Sequence, residues 1–259
     1  MKNKENKIEK EKKHRCIIKD EKKKKPFIIC SIIAVLIIAG SVFSYMYYNG
    51  LYNYAWRYVQ PKDNQIRVAC VGDSVTFGMN MKKWYENAYP FQLREMVSDD
   101  YCIENFGYSG RTVMKSCDRP YVRYKLYKKS KNYLPDIVIF QMGSNDSKSY
   151  NWTNKEDFKN EYRELLESYI SLPSHPRVIV CTPPPAFEHN GRVIFKINAD
   201  VIENEIAPAV REIAEEYNLE IIDLIEMFYD HSELFRDGLH PVKEGAAMIA
   251  EEVYKRITE

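Results

Sequence analysis

Ile66-Arg67-Val68-Ala69-Cys70-Val71-Gly72-Asp73-Ser74 is a short, mostly apolar run that closes on a small residue, an acid and a hydroxyl. An apolar run of this length bounded by turn residues reads as a buried strand. Ser74 then stands where the strand ends. The pattern repeats further on. Tyr101 to Phe106 leads into Asn105-Phe106-Gly107-Tyr108-Ser109-Gly110, and Ile137 to Met142 leads into Gly143-Ser144-Asn145-Asp146. In an open parallel α/β sheet, ligands bind at the carboxyl ends of the strands. Near the end of the chain lies a fourth block, Asp237-Gly238-Leu239-His240.

Together these blocks supply the parts of a serine-based acyl transfer. A serine hydroxyl becomes a useful nucleophile when a base takes its proton and a further group orients that base. Ser74, His240 and Asp237 fit those roles. The three-residue spacing of Asp237 and His240 lets both side chains converge from one tight turn loosened by Gly238, with Pro241 placed to begin a terminal helix. The tetrahedral intermediate needs donors already aimed at its oxygen. The backbone N–H groups of Ser74 and Gly107 and the side-chain amide of Asn145 are the expected three, the alternative for Gly107 being an ordinary strand-end turn.

With all four blocks in order, the chain from about Ile66 to its end resembles the SGNH hydrolases, also known as GDSL-type esterases and lipases. The resemblance implies that Ser74, Gly107, Asn145 and His240 are the family's namesake residues and that Asp237 is the third triad member. The Gly-x-Ser-x-Gly elbow of α/β-hydrolases is absent, because position 76 is Thr, and the acid sits three residues before the histidine. Asp73 and Asp146 read as a helix cap and a loop tie rather than catalytic acids. His14, His175, His189 and His231 lie in polar or charged settings and read as solvated. No pair of histidines has metal-ligand spacing, so neither a metal nor a cofactor is expected.

The N-terminal part is of a different kind. The first 26 residues hold twelve Lys or Arg against five acids, a net +7 that leaves the remainder of this +1 chain at −6. From Pro26 to Trp56 there is no charge, and the apolar centre, 27–48, is long enough to cross a bilayer, with Tyr45, Tyr47 and Tyr48 at the far interface. The expected arrangement is a basic cytoplasmic tail (1–26), one transmembrane helix (27–48), a juxtamembrane linker (49–65) and an exported catalytic domain (66–259). The competing reading is secretion after signal cleavage, which the length of the apolar run and the absence of a clean Ala-x-Ala site weigh against. A mildly acidic exported part removes the usual electrostatic argument for nucleic acid as a partner, and none is expected. Six cysteines are too few for a disulfide scaffold. Cys70 and Cys181 fall in core strands, and Cys102 and Cys117 are left open as a disulfide.

The exported part is about 195 residues, one domain's worth. Arg177 to Cys181 and Glu220 to Leu224 add two strands. Helix-period positions recur at Phe158, Tyr162, Leu165, Leu166, Tyr169 and Ile170, at Ile197, Val201, Ile213 and Tyr217, and at Val242, Ala246, Ile249, Ala250 and Val253. Alternating strands and helices imply a five-stranded parallel sheet in a three-layer α/β/α domain. The resemblance implies the flavodoxin-like strand order 2-1-3-4-5, with Ser74 and Asn145 flanking the crevice where the winding reverses.

Within the SGNH group the motifs are most similar to carbohydrate O-acetylesterases. Trp84, Tyr85 and Trp152 follow strand ends, where they either stack on sugar rings or are half-buried under loops. Arg111 and Arg119 either meet an acidic substrate or form internal salt bridges. The expected function is a membrane-anchored, extracytoplasmic esterase that removes acetyl or another small acyl group from a glycan. The alternatives are an O-acyltransferase using the same acyl-serine, a GDSL-type lipase, and a catalytically silent glycan-binding module. Glycan, acyl chain and oligomeric state are not encoded legibly.

Overall fold

A computed structural model of the chain describes residues 26, 28–48, 58–188 and 193–259. The chain divides into two units, 1–48 and 49–259. In the first, Ile28–Tyr48 is a single helix of 21 residues. At 1.5 Å per residue it spans about 31 Å, the thickness of a bilayer's hydrocarbon core, and its apolar side chains lie exposed. The basic tail, His14, His189, Trp56 and most of the expected linker lie outside the described residues.

The second unit contains five strands, β1 (Ile66–Gly72), β2 (Tyr101–Gly107), β3 (Ile137–Gln141), β4 (Arg177–Cys181) and β5 (Glu220–Ile222). All pair in parallel in the order β2-β1-β3-β4-β5. This is the order expected from the resemblance. Because side chains alternate along a strand, Ala69, Val71, Phe106, Val138, Phe140 and Val180 face one layer, while Val68, Cys70, Ile103, Ile139, Ile179 and Ile222 face the other. Both faces are apolar, as a sheet covered on two sides requires.

The helices used below are α1 (Ser74–Phe77), α2 (Tyr89–Met96), α3 (Lys125–Asn132), α4 (Lys155–Ile170), α5 (Ala207–Glu216) and α6 (Lys243–Thr258). Leu126 of α3, Phe158, Tyr162, Leu165 and Tyr169 of α4, and Val210 and Ile213 of α5 cover the first face. Phe140 presents its ring to the edges of Tyr162 and Tyr169, at 5.3 and 5.9 Å between centroids. Tyr89 and Leu93 of α2, with Ala246, Ile249, Ala250 and Val253 of α6, cover the second.

Two local expectations change. Helix α6 starts at Lys243 rather than Pro241, because the Val242 N–H donates to the Leu234 carbonyl at 2.7 Å and holds the chain extended for two more residues. The helical run before Tyr217 is not continuous. A wide π-type turn, Ile202–Ile206, separates a short helix from α5. Pro208 has no N–H for the carbonyl four residues earlier, and the backbone there takes a wider register.

Candidate active site

Strands β1 and β2 end side by side, with Gly72 paired to Gly107 and, across β1, Gly72 paired to Gln141 of β3. The backbone turns at once into α1. Asp73 caps it, its Oδ1 accepting from the Val75 N–H at 3.0 Å, so Ser74 becomes the first residue of the helix. That position leaves the Ser74 N–H without a carbonyl four residues back.

At the other end of the chain the turn Asp237–His240 is wound around one carboxylate. Asp237 Oδ1 accepts the backbone N–H groups of Leu239 (2.9 Å) and His240 (2.7 Å), an arrangement that Gly238 permits by adopting φ 80°. Asp237 Oδ2 accepts from His240 Nδ1 at 2.8 Å, and His240 Nε2 meets Ser74 Oγ at 2.9 Å. Residues 166 positions apart in sequence are thus in hydrogen-bond contact. Ser74 and His240 are buried to 4% and 3% exposure, while the Asp237 side chain keeps 23%. Burial pushes Asp237 upward, but its bonds from the His240 ring and backbone and from Asn80 outweigh that and hold it well below the usual carboxylate range.

Asn145 follows β3 and Gly143 on a short 3₁₀ turn, Ser144–Ser147. Its Nδ2 donates to the Arg111 carbonyl at 3.2 Å and, at a long 3.4 Å, to Asp73 Oδ2. The asparagine therefore stands between the β2 loop and the cap of the Ser74 helix.

Gly107 does not behave as expected. Its N–H donates to Asn105 Oδ1 at 2.8 Å, so this donor is used inside its own turn. The reason for glycine is space. A Cβ here would lie 2.4 Å from Phe77 N and 2.7 Å from Thr76 C, in the backbone of α1. Asn105 completes the clamp by donating Nδ2 to the Thr76 carbonyl at 2.8 Å. The Asn105–Gly110 block thus seats the serine helix, and the residue just after it, Arg111, reaches Asn145 through its carbonyl.

Asp73 and Asp146 are structural, as read from the sequence. Asp146 accepts the Val113 and Met114 N–H groups at 2.9 to 3.1 Å. Burial drives both acids up, Asp73 to about 6 and Asp146 to about 7, even though backbone N–H donors pull the other way. His231 lies beside Glu233 at the surface, and His175 is exposed. Cys102 and Cys117 are buried free thiols and do not pair. Their sulfurs instead lie 3.7 Å from the Val59 carbonyl and 3.5 Å from the Asn151 carbonyl.

The aromatic and arginine expectations resolve toward packing. Trp84 stacks on Phe77 at 5.5 Å and meets Tyr85 edge-on, and Trp152 leans on Phe158 at 6.0 Å. Arg111 is buried with its guanidinium between the rings of Tyr108 and Tyr124, 3.4 and 3.9 Å from their centroids. Arg119 sits near Asp118 at 3.7 Å.

Two residues near Asp237 and His240 escaped the sequence reading. Asn80 donates Nδ2 to Asp237 Oδ2 at 2.5 Å. Phe195 lies with its ring centroid 6.1 Å from that of His240. Neither belongs to a recognisable block, so no local signal marked them.

The GDSL-like Lipase/Acylhydrolase family model matches residues 70–248, most of the second unit. The chain belongs to this family. Among individual GDSL-like relatives, it is 35% identical over 211 residues to an acetylxylan esterase of Xylanibacter ruminicola, covering 74% of this chain and 43% of that protein. The chain spans between 43% and 63% of the length of the curated relatives it matches. Among solved structures, Est24, a carbohydrate acetylesterase from Sinorhizobium meliloti, superposes with a TM-score of 0.60 at 20% identity, over 75% of this chain and 99% of that one. The aryl esterase of M. smegmatis gives a TM-score of 0.60 at 18% identity, over 74% and 98%.

Proposed function

We propose that this GDSL-like protein is a serine esterase that removes acetyl or another small acyl group from a carbohydrate, with Ser74, His240 and Asp237 as its triad. The observation that carries the reading is the unbroken relay of two hydrogen bonds, Ser74 Oγ to His240 Nε2 at 2.9 Å and His240 Nδ1 to Asp237 Oδ2 at 2.8 Å. Asp237 keeps Nδ1 protonated, which leaves the Nε2 lone pair free to take the Ser74 proton as Oγ bonds to the ester carbonyl carbon. The resulting imidazolium returns that proton to the sugar oxygen as the ester C–O bond breaks, leaving an acyl-serine. Water, deprotonated by the same imidazole, then attacks the acyl carbon and releases the acid and free Ser74.

The oxyanion is stabilised by the Ser74 N–H at the start of α1 and by Asn145 Nδ2, whose long contact to Asp73 gives way to a charged acceptor. Gly107 contributes by letting β2 pack against α1. The acetylxylan esterase relative supports an acetylated sugar as the substrate class.

The test is acetate release from acetylated xylo-oligosaccharides by the full chain in detergent, with and without free sugar acceptors. Ser74→Ala abolishes release, and Asn145→Ala lowers turnover by roughly 10²–10³. Acetate release by Ser74→Ala at the wild-type rate rules the mechanism out, and acetyl appearing on the added sugar in place of free acetate makes the enzyme a transferase. We further propose that Ile28–Tyr48 anchors the catalytic unit outside the cytoplasmic membrane, with the basic tail inside. Protease added to intact cells then digests the catalytic unit and spares the tail, whereas protection of that unit until lysis reverses the orientation.

A further inference from the structure

Most large apolar side chains of the catalytic unit are buried, yet Phe195 is 52% exposed beside the His240 ring, edge-on to it. The backbone holds it there under strain. Phe195 and Lys196 are consecutive non-glycine residues with φ 56° and 60°, in the left-handed region that such side chains avoid. Strain of this kind persists where the surroundings impose it, and here they do. Val193 on one side and Ile197 on the other are buried in a cluster with Ile202, Ile225 and Leu239, the last being the neighbour of His240. Two buried anchors four residues apart, with Ile194 packed against the same cluster, leave Phe195 and Lys196 outside it.

The same turn reaches the opposite wall of the site. The Asn198 N–H donates to Ser147 Oγ at 3.2 Å, on the 3₁₀ turn that carries Asn145, and Lys196 Nζ lies 5.6 Å from the ring centroid of Tyr150, itself 55% exposed. The segment therefore touches both the base side and the Asn145 side of the reacting centre. Its exposed face is one phenyl ring, followed by a cation set over a phenol. A long acyl chain would need a continuous apolar trough. An isolated aromatic face bordered by polar groups suits a sugar ring, which has apolar C–H faces and hydroxyls at its rim.

Building on the esterase reading, we propose that Phe195 is the specificity-determining contact of this site, stacking on the pyranose ring that carries the scissile acyl group, with the Lys196–Tyr150 pair flanking the next sugar. The deciding comparison uses the full chain in detergent acting on acetylated xylo-oligosaccharides and on ethyl acetate, an ester with no ring to stack. Phe195→Ala raises KM for the oligosaccharide more than it lowers kcat, and the ratio of kcat/KM for oligosaccharide over ethyl acetate falls about tenfold, roughly the worth of one aromatic contact. Phe195→Trp restores the ratio.

A second arm measures binding alone. Ser74→Ala titrated calorimetrically with the same oligosaccharide binds about tenfold more weakly when Phe195→Ala is added. An unchanged ratio, an equal fall on both esters, or unchanged binding overturns the proposal. If the wild type cleaves neither ester, the esterase reading falls while the titration still separates a sugar contact, seen as weaker binding, from none.

Discussion

Replacing Asp237 by Asn tests the triad more sharply than deleting it. The two carboxylate oxygens have different partners: Oδ1 takes the Leu239 and His240 backbone N–H groups at 2.9 and 2.7 Å, and Oδ2 takes His240 Nδ1 at 2.8 Å and Asn80 Nδ2 at 2.5 Å. An asparagine must choose which end receives its carbonyl. Turning its NH2 toward the two backbone donors leaves those groups unsatisfied, at about 1–3 kcal/mol each, so the carbonyl stays at the Oδ1 end. The NH2 then donates to His240 Nδ1, and the imidazole proton moves to Nε2, where it points at Ser74 Oγ. The base is lost although every atom is within a fraction of an ångström of its place. In the chymotrypsin-type triad the same exchange costs about 10⁴ in kcat. A loss of roughly 10³–10⁴ is expected here, about 4–5.5 kcal/mol of transition-state stabilisation. Asp237→Ala permits either tautomer and retains more activity than Asp237→Asn, and also more than His240→Ala. The assay is initial-rate acetate release at saturating ester, with a thermal melt of each variant. Asp237→Asn within tenfold of wild type, with an unaltered melt, refutes the tautomer argument and with it the assignment of the acid.

Two further predictions concern stability. Gly107→Ala forces a Cβ to within 2.4 Å of Phe77 N, an overpacking worth roughly 1–3 kcal/mol, and lowers the melting temperature by roughly 2–10 °C while moving Ser74 and slowing turnover. Melting and turnover equal to wild type show that β2 does not press on α1. Glu104, which accepts from the Val59 N–H and from Arg94, is pushed by burial from 4.5 to about 7, and Asp73 and Asp146 rise from 3.8 to about 6 and about 7. Between pH 4 and 7 the folded protein therefore holds protons that the unfolded chain releases, so stability falls as pH rises across that window. Asp237, held low, acts in the opposite sense, but only below its ordinary value of 3.8. Denaturant titrations of Glu104→Gln give a shallower decline than wild type, and an identical slope shows that Glu104 carries no proton there.

The amino-acid sequence determined the strands to within two residues, because buried parallel strands are short apolar runs bounded by turn residues: the runs ending at Val71, Phe106, Met142, Cys181 and Leu224 become strands ending at Gly72, Gly107, Gln141, Cys181 and Ile222. It also determined that Asp237 and His240 meet, since they are three residues apart and a single Asx-type turn brings them together by local bonds. Tertiary structure decided what depends on which elements become neighbours. Gly107 was legible as a glycine with a task, but whether that task is to offer its N–H or to yield space depends on α1 lying across it, which no local pattern states. Trp84, Trp152 and Arg111 have side chains that suit both ligand and core, and only the rings packed on them settle which. Asn80 reaches Asp237 across 157 residues of chain, and Phe195 stands beside His240 because two buried neighbours, Val193 and Ile197, leave its side chain outside the core. A one-dimensional pattern records the period and the ends of each element, whereas the residues that complete the site were set by packing between elements far apart in the chain.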